Sequence, residues 1–138
     1  MKTKNKFAVN IILIAAISIS VASCKKEKEA KLPTVTLKTG AGYYSSSGPV
    51  SKNAILKIGM VAEKNESDLR KLDITVVLPH ETSETNKKTF YIDAGDADRF
   101  EAEYELNTGN ESGNQTWRFK ATDKLGNVGE ESIILNVQ

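Results

Sequence analysis

The chain has 138 residues, 39% hydrophobic and 27% charged, with a formal net charge of +1 at pH 7. This near-neutral balance lacks the basic surface of a nucleic-acid-binding protein, so no nucleic-acid partner is expected. The only cysteine is Cys24, which excludes an intramolecular disulfide and a cysteine-based zinc site. The length suits one domain better than two.

Residues 1–23 have the organisation of a secretory signal peptide. Lys2, Lys4 and Lys6 precede a mostly apolar run over residues 7–21, and small residues follow it. This run is shorter than the roughly 20 residues that a helix needs to cross the hydrocarbon core of a bilayer. A cleaved export signal is therefore favoured over a transmembrane anchor.

The signal ends in Val21-Ala22-Ser23-Cys24. This sequence resembles the lipobox of bacterial lipoproteins, in which an aliphatic residue and two small residues precede an obligatory cysteine. The resemblance implies cleavage before Cys24, diacylglycerylation of its thiol and acylation of the new amino terminus. Several acyl chains anchor a protein durably, because each buried CH₂ contributes roughly 0.8 kcal/mol. The alternative is an ordinary secretory peptide with a chance cysteine.

Residues 24–32 are predicted to form the lipidated cysteine and a charged, solvated tether. The residue after Cys24 is Lys25 rather than the aspartate that resembles an inner-membrane retention signal. The charged run also resembles the surface-export signals of Bacteroidetes lipoproteins. These resemblances imply an outer-membrane protein anchored through its lipid and displayed on the cell surface. A flexible linker that faces the periplasm is the alternative.

Residues 33–138 are predicted to form one antiparallel, immunoglobulin-like β-sandwich of about seven strands. In residues 100–106, four apolar side chains alternate with three glutamates, as in a strand that is buried on one face. The other segments place these residues on their apolar faces: Val35 and Leu37; Leu56, Ile58, Met60 and Ala62; Leu72, Ile74, Val76 and Leu78; Phe90 and Ile92; Trp117, Phe119 and Ala121; Ile133, Leu135 and Val137. Residues 63–71 allow one helical turn.

The end of the chain carries a family resemblance. Residues 117–127, followed by residues 131–137, resemble the end of a bacterial immunoglobulin-like domain, with an aromatic-rich strand, an Asp-x-x-Gly-Asn turn and an apolar last strand. In this turn Asp123 can accept hydrogen bonds from backbone amides, and Gly126 or Asn127 can adopt a positive φ. The resemblance implies a sandwich without the disulfide of antibody domains, and leaves the strand order open.

The sequence predicts no enzyme. The single histidine, His80, lies in a polar loop without a nearby nucleophile or second ligand, and the common catalytic motifs are absent. The acidic residues leave a carboxylate pair for glycoside hydrolysis open. No cofactor is expected beyond the lipid on Cys24. Asp93, Asp96 and Asp98 flank a glycine and offer oxygen ligands for Ca²⁺, but a polar turn accounts equally well for them.

Three tyrosines are the candidate ligand-binding residues. Tyr43 and Tyr44 lie in a loop rich in glycine and serine, and Tyr91 alternates with two apolar neighbours and so faces outward. Aromatic rings on a surface stack on sugars or on proteins. Two hypotheses follow for the partner. The domain is an extracellular binding module for a glycan, or it is a structural or adhesive unit that docks to another envelope protein.

Overall fold

The computed structural model describes residues 29–138, so the predicted signal peptide and Cys24 lie outside the described residues. The described chain consists of strands and one short 3₁₀ helix. The strands are β1 (Thr34–Leu37), β2 (Gly48–Val50), β3 (Ile55–Glu63), β4 (Leu69–Val77), β5 (Thr85–Tyr91), β6 (Arg99–Asn107), β7 (Gly113–Asp123) and β8 (Val128–Val137), with the 3₁₀ helix at Ala94–Asp96 between β5 and β6. Within residues 29–138, no helix is long and apolar enough to cross a membrane.

The strands form two sheets. One has three strands in the order β1-β3-β6, and the other has five in the order β2-β8-β7-β4-β5. The chain changes sheet after β1, β2, β3, β5 and β6, and the last three of these crossings are those of a Greek key. Strands β3, β6, β4, β7 and β8 thereby correspond to strands B, E, C, F and G of an immunoglobulin-like sandwich. The predicted fold class is confirmed.

The core lies between the sheets and is formed by the faces that alternation predicts. Ile58, Met60, Leu72, Ile74, Phe119 and Leu135 are among the fully buried side chains. Aromatic rings extend the core towards β6, where the ring centroids of Tyr104 and Trp117 lie 6.3 Å apart. Trp117 is on the penultimate strand, as the sequence predicts. The indole N–H of Trp117 donates to the Gln115 side chain at 3.0 Å, so the buried ring leaves no unpaired donor.

The turn between β7 and β8 has the predicted chemistry. Asp123 Oδ1 accepts hydrogen bonds from the amides of Leu125 and Asn127, each at 2.9 Å, and Oδ2 accepts from the Asn127 side chain at 2.8 Å. Gly126 has a φ of 90°, which a residue with a Cβ rarely adopts. The carboxylate therefore holds the hairpin that aligns the last two strands.

Three local predictions differ from the structure. Residues 45–49 contribute to none of the predicted apolar faces, yet β2 begins at Gly48 and pairs with β8 in parallel. The helical turn that residues 63–71 allow is not formed, since Glu63 ends β3, residues 65–67 form a bend and β4 begins at Leu69. Strand β5 begins at Thr85, well before its first core residue, Phe90. Its first four residues are exposed, so they carry no hydrophobic alternation to detect.

Candidate binding surfaces

Tyr43 lies flat against the outer face of the three-stranded sheet. A Cβ placed on Gly59 would lie 2.7 Å from the Tyr43 ring, so the absence of a side chain there makes room for the ring. Lys38 and Lys57 place their ammonium groups 5.8 and 5.2 Å from the ring centroid, within the range of cation–π attraction. The hydroxyl donates to Glu103, which raises the pKa of Tyr43. Tyr43 therefore fastens its loop to the sheet.

The other two tyrosines lie elsewhere. Tyr44 packs against the core, and its amide donates to the Lys57 carbonyl at 2.8 Å. Tyr91 is 80% exposed on β5, where it pairs with Lys71 on the outward side of the five-stranded sheet. The outer faces of the two sheets of a sandwich point in opposite directions. The structure therefore does not bring Tyr43 and Tyr91 into one patch, and only Tyr91 exposes most of its ring.

The three aspartates proposed as calcium ligands are not brought together either. Asp93 precedes the 3₁₀ helix, Asp96 ends it, and Asp98 forms an ion pair with Lys64. In residues 29–138, no three His, Cys, Asp or Glu side chains gather into a group that could hold a metal ion. His80 is exposed in the turn after β4, with a φ of 65°. Each of these residues occupies a polar turn, which was the alternative interpretation of the aspartates.

Ion pairs cover the outer face of the five-stranded sheet. Glu84 bonds to Arg118 and Lys120, and Glu130 lies 3.6 Å from Arg118. The hydrogen bond from Lys120 lowers the pKa of Glu84 although burial opposes it. A general acid needs a raised pKa in order to hold its proton near neutral pH. Glu84 is therefore suited to ion pairing rather than to proton donation.

A shallow pocket of about 240 Å³ opens at the end of the sandwich where β6 leads into β7. Its floor includes Gln115 and Trp117, and its rim includes Lys87 and Glu111. Gln115 is only 2% exposed, and its amide donates to the Thr108 carbonyl at 2.6 Å. The volume is below the roughly 300–1,000 Å³ of typical small-molecule sites. The geometry does not mark this pocket as a primary binding site.

Strand β6 has a long free edge. The backbone amide of Thr108 donates to the Ala54 carbonyl, and the backbone amide of Lys64 donates to the Asp98 carbonyl. Both hydrogen bonds continue the β3–β6 register. Because antiparallel pairs alternate, the even-numbered residues of β6 bond to β3 and the odd-numbered residues point their backbone groups away from it. The residues with outward backbone groups are Arg99, Glu101, Glu103, Glu105 and Asn107. Within residues 29–138, no strand pairs with this edge.

The other sheet edges are protected, which sets β6 apart. Proteins protect free edges with short strands, prolines, charged side chains (lysine especially) and β-bulges. Strand β1 has four residues, and β2 has three, including Pro49. Strand β5 carries Lys87 and Lys88, and its pairing with β4 is interrupted by a register shift at Ile74/Thr75. Strand β6 has nine residues, contains neither lysine nor proline, and pairs with β3 without a shift, so its charged side chains, Arg99 and three glutamates, are its only protection of this kind.

The sequence does not predict that this edge of β6 is free. Residues 100–106 predict the strand and its two faces, but nothing local reveals whether a neighbour occupies each side. In constant-type immunoglobulin domains a further strand, D, lies beside strand E. In the described residues, β6 corresponds to strand E, and the position of strand D is vacant.

Comparisons with known proteins find fold-level likeness alone. No family model matches the chain, and no curated protein matches it. Among solved structures, it is similar to murine CRIg at 12% identity, with a TM-score of 0.43, covering 78% of this chain and 99% of that chain. It is also similar to a β-glucosidase from Listeria innocua in complex with glucose, at 10% identity with a TM-score of 0.43. That match covers 75% of this chain and only 16% of the enzyme.

Proposed function

We propose that this chain is a lipid-anchored, non-enzymatic binding module of the bacterial cell envelope that docks a protein through the free edge of β6. The observation that carries the proposal is a nine-residue edge strand that lacks the shortness, proline, lysines and register shift of the other three edges and is protected only by its charged side chains. An extended segment that adds to such an edge gains main-chain hydrogen bonds, a recurring mode of peptide recognition. Docking by strand addition needs no cofactor and no catalytic group.

Photo-cross-linking in intact cells tests the docking. A photoreactive amino acid in place of Glu101 is expected to form an adduct with a protein. The adduct should be lost when Glu105→Pro removes an outward N–H, and kept with Glu105→Gln. The same photoreactive group in place of Ser132, exposed on the other sheet, is the control. An adduct that persists with Glu105→Pro would remove the support for strand docking.

The anchor is the second part of the proposal. The lipobox residues support acylation at Cys24, Lys25 supports outer-membrane sorting, and the charged run after Cys24 supports display on the cell surface. Labelling with an alkyne analogue of palmitate should modify the wild-type protein and leave Cys24→Ser unmodified. Added protease should digest the wild-type protein on intact cells if it faces outward. Labelling of the Cys24→Ser variant would contradict the assignment of the anchor.

Glycan binding is the second candidate, and the exposed ring of Tyr91 favours it. Retention of residues 29–138 on immobilised polysaccharides is the test, with Tyr91→Ala as the variant. Tyr43→Ala serves as the comparison, because Tyr43 already packs against Gly59. Retention that Tyr91→Ala abolishes and Tyr43→Ala spares would make the chain a carbohydrate-binding lipoprotein.

A further inference from the structure

We infer that the segment docked at β6 is an extended strand in which apolar residues alternate with lysine or arginine. The inference rests on the proposed docking function and specifies the chemistry of its partner. Three features of β6 carry it: the direction of its free backbone groups, the half-buried aromatic rings on its inner face, and the acidic side chains on its outer face.

The backbone of β6 sets which side chains of an added antiparallel strand lie on the outer face of the sheet. Each of the five odd-numbered residues of β6 offers one N–H and one C=O to the free edge. A partner residue that exchanges hydrogen bonds with Glu103 lies directly opposite it, so its side chain projects on the same outer face. The partner residues on either side project inward. The alternation of β6 is thereby imposed on its partner.

The inner face provides apolar contacts for every second partner residue. Phe100 and Tyr104 are only half-buried, and both pack on the border of the core. The ring of Phe90, on β5 of the opposite sheet, lies 5.9 Å from that of Phe100. A strand beside β6 would place its inward side chains against these rings at the open side of the sandwich. Apolar side chains would bury surface there, whereas charged ones would be desolvated without a partner.

The outer face favours basic residues. Glu101, Glu103 and Glu105 project from it in line, after Arg99, which pairs with Glu63 and Glu101. Lys38 bonds to Glu101 at 2.6 Å and Lys57 to Glu103 at 2.8 Å, while Glu105 has no ion pair among the described residues. Cross-strand pairs of opposite charge stabilise a sheet, and like charges directly opposite each other destabilise it. Glu105 is therefore the residue best placed to select a lysine or arginine.

The same charges oppose full-length pairing with a second copy of this chain. Antiparallel pairing of two β6 strands about Glu103 would set Glu103 against Glu103, and Glu101 against Glu105. Each of these contacts joins two carboxylates on one face. The glutamates thus oppose self-association at an edge that is otherwise unprotected, and they leave it open to a basic strand.

Amide exchange measured by NMR on residues 29–138 tests the inference, because it reports each residue of β6 separately. The probe is a nine-residue peptide that alternates lysine with valine, compared with a scrambled peptide of the same composition and with one that alternates glutamate with valine. The lysine peptide is expected to slow exchange at the odd-numbered residues of β6. The scrambled and glutamate peptides are expected to leave those amides unchanged.

Variants at one position separate charge from backbone. Glu105→Lys should weaken binding of the lysine peptide by about tenfold, as expected for an opposite-charge pair replaced by a like-charge pair. Glu105→Pro, which removes an outward N–H, should weaken it more than Glu105→Gln, which keeps that N–H. A thermal melt establishes that each variant is folded.

N-methylation of the peptide tests the geometry without altering the protein. Methylation of the backbone amide nitrogens of the lysine residues, which face β6 in the docked strand, should abolish binding. Methylation of the backbone amide nitrogens of the valine residues, which face away from β6, should leave binding intact. Equal protection by the glutamate peptide would overturn the inference about charge, and protection by neither peptide would also overturn it. In both cases an adduct at residue 101 that Glu105→Pro abolishes would still support docking at β6.

Discussion

Asp123 shows how a single buried carboxylate fixes a hairpin. It is 1% exposed, and all three hydrogen bonds that its carboxylate accepts come from Leu125 and Asn127 of its own turn. These partners lie within four residues of it. A contact this local can be predicted from sequence because it does not depend on the arrangement of the sheets.

Asp123→Ala is expected to destabilise the domain by about 1–3 kcal/mol. The substitution leaves the amides of Leu125 and Asn127 without their acceptor in a partly buried turn. The midpoint of urea unfolding should fall accordingly. Ser132→Ala, at an exposed position of β8, is the control and should change stability by less than about 0.5 kcal/mol. Equal midpoints for the two variants would contradict this role of the carboxylate.

Gly129 permits a close approach between the two sheets. A Cβ on this residue would lie 1.7 Å from the carbonyl oxygen of Pro33, just before β1. Gly129→Ala should therefore displace the start of β1 and destabilise the domain by roughly 1–3 kcal/mol, as overpacking does elsewhere. Gly95→Ala is the matched control, since a Cβ there meets nothing within 4 Å. Calorimetric unfolding of both variants distinguishes this contact from the general effect of replacing glycine. A Gly129→Ala variant as stable as Gly95→Ala would contradict it.

At the scale of elements, the two sides of β6 should differ in hydrogen exchange. Amides of Phe100, Ala102, Tyr104 and Leu106 bond to β3, whereas those of the alternating residues face the free edge. In the unliganded domain we expect slow exchange at the even-numbered positions and fast exchange at the odd-numbered ones. Residue-resolved exchange by NMR checks this alternation. Uniform protection along β6 would mean that another strand covers its edge.

At the scale of the whole molecule, ion pairs on both sheets should make stability depend on pH. Hydrogen bonds from lysines lower the pKa of Glu101 and of Glu103. Burial by itself raises the pKa of Asp73, but the hydrogen bonds from Lys71 and Thr89 outweigh it and lower that pKa. A carboxyl whose pKa is lower in the folded state than in the unfolded state stabilises the fold above its unfolded pKa. That contribution disappears as the pH falls through the folded pKa.

The midpoint of urea unfolding should therefore be higher at pH 7 than at pH 3. The decline should begin near the ordinary values of 4.5 for glutamate and 3.8 for aspartate and continue below them. Asp73→Asn should flatten part of this decline, because Asp73 is the most buried of these carboxylates. A midpoint that does not change between pH 7 and pH 3 would show that these pairs do not stabilise the fold.

The sequence determined the strands that bury one face and the turn that closes the last hairpin. Residues 100–106 carry an alternation that a strand alone satisfies, and Asp123 finds its partners within its own turn. Both patterns are local, so they do not depend on contacts between distant parts of the chain. The sequence also carries residues that resemble an export signal and a lipobox ending at Cys24, and the anchoring proposal rests on this resemblance.

Tertiary structure alone decided which sheet edge stays free and where the tyrosines lie. The gap beside β6 exists because β5 joined the opposite sheet, and Tyr43 is covered because Gly59 on another strand admits its ring. The pairing of β2 with β8 joins residues more than 80 positions apart. Strand neighbours are chosen by contacts between distant segments, so the side-chain period of one segment determines its faces but not its edges.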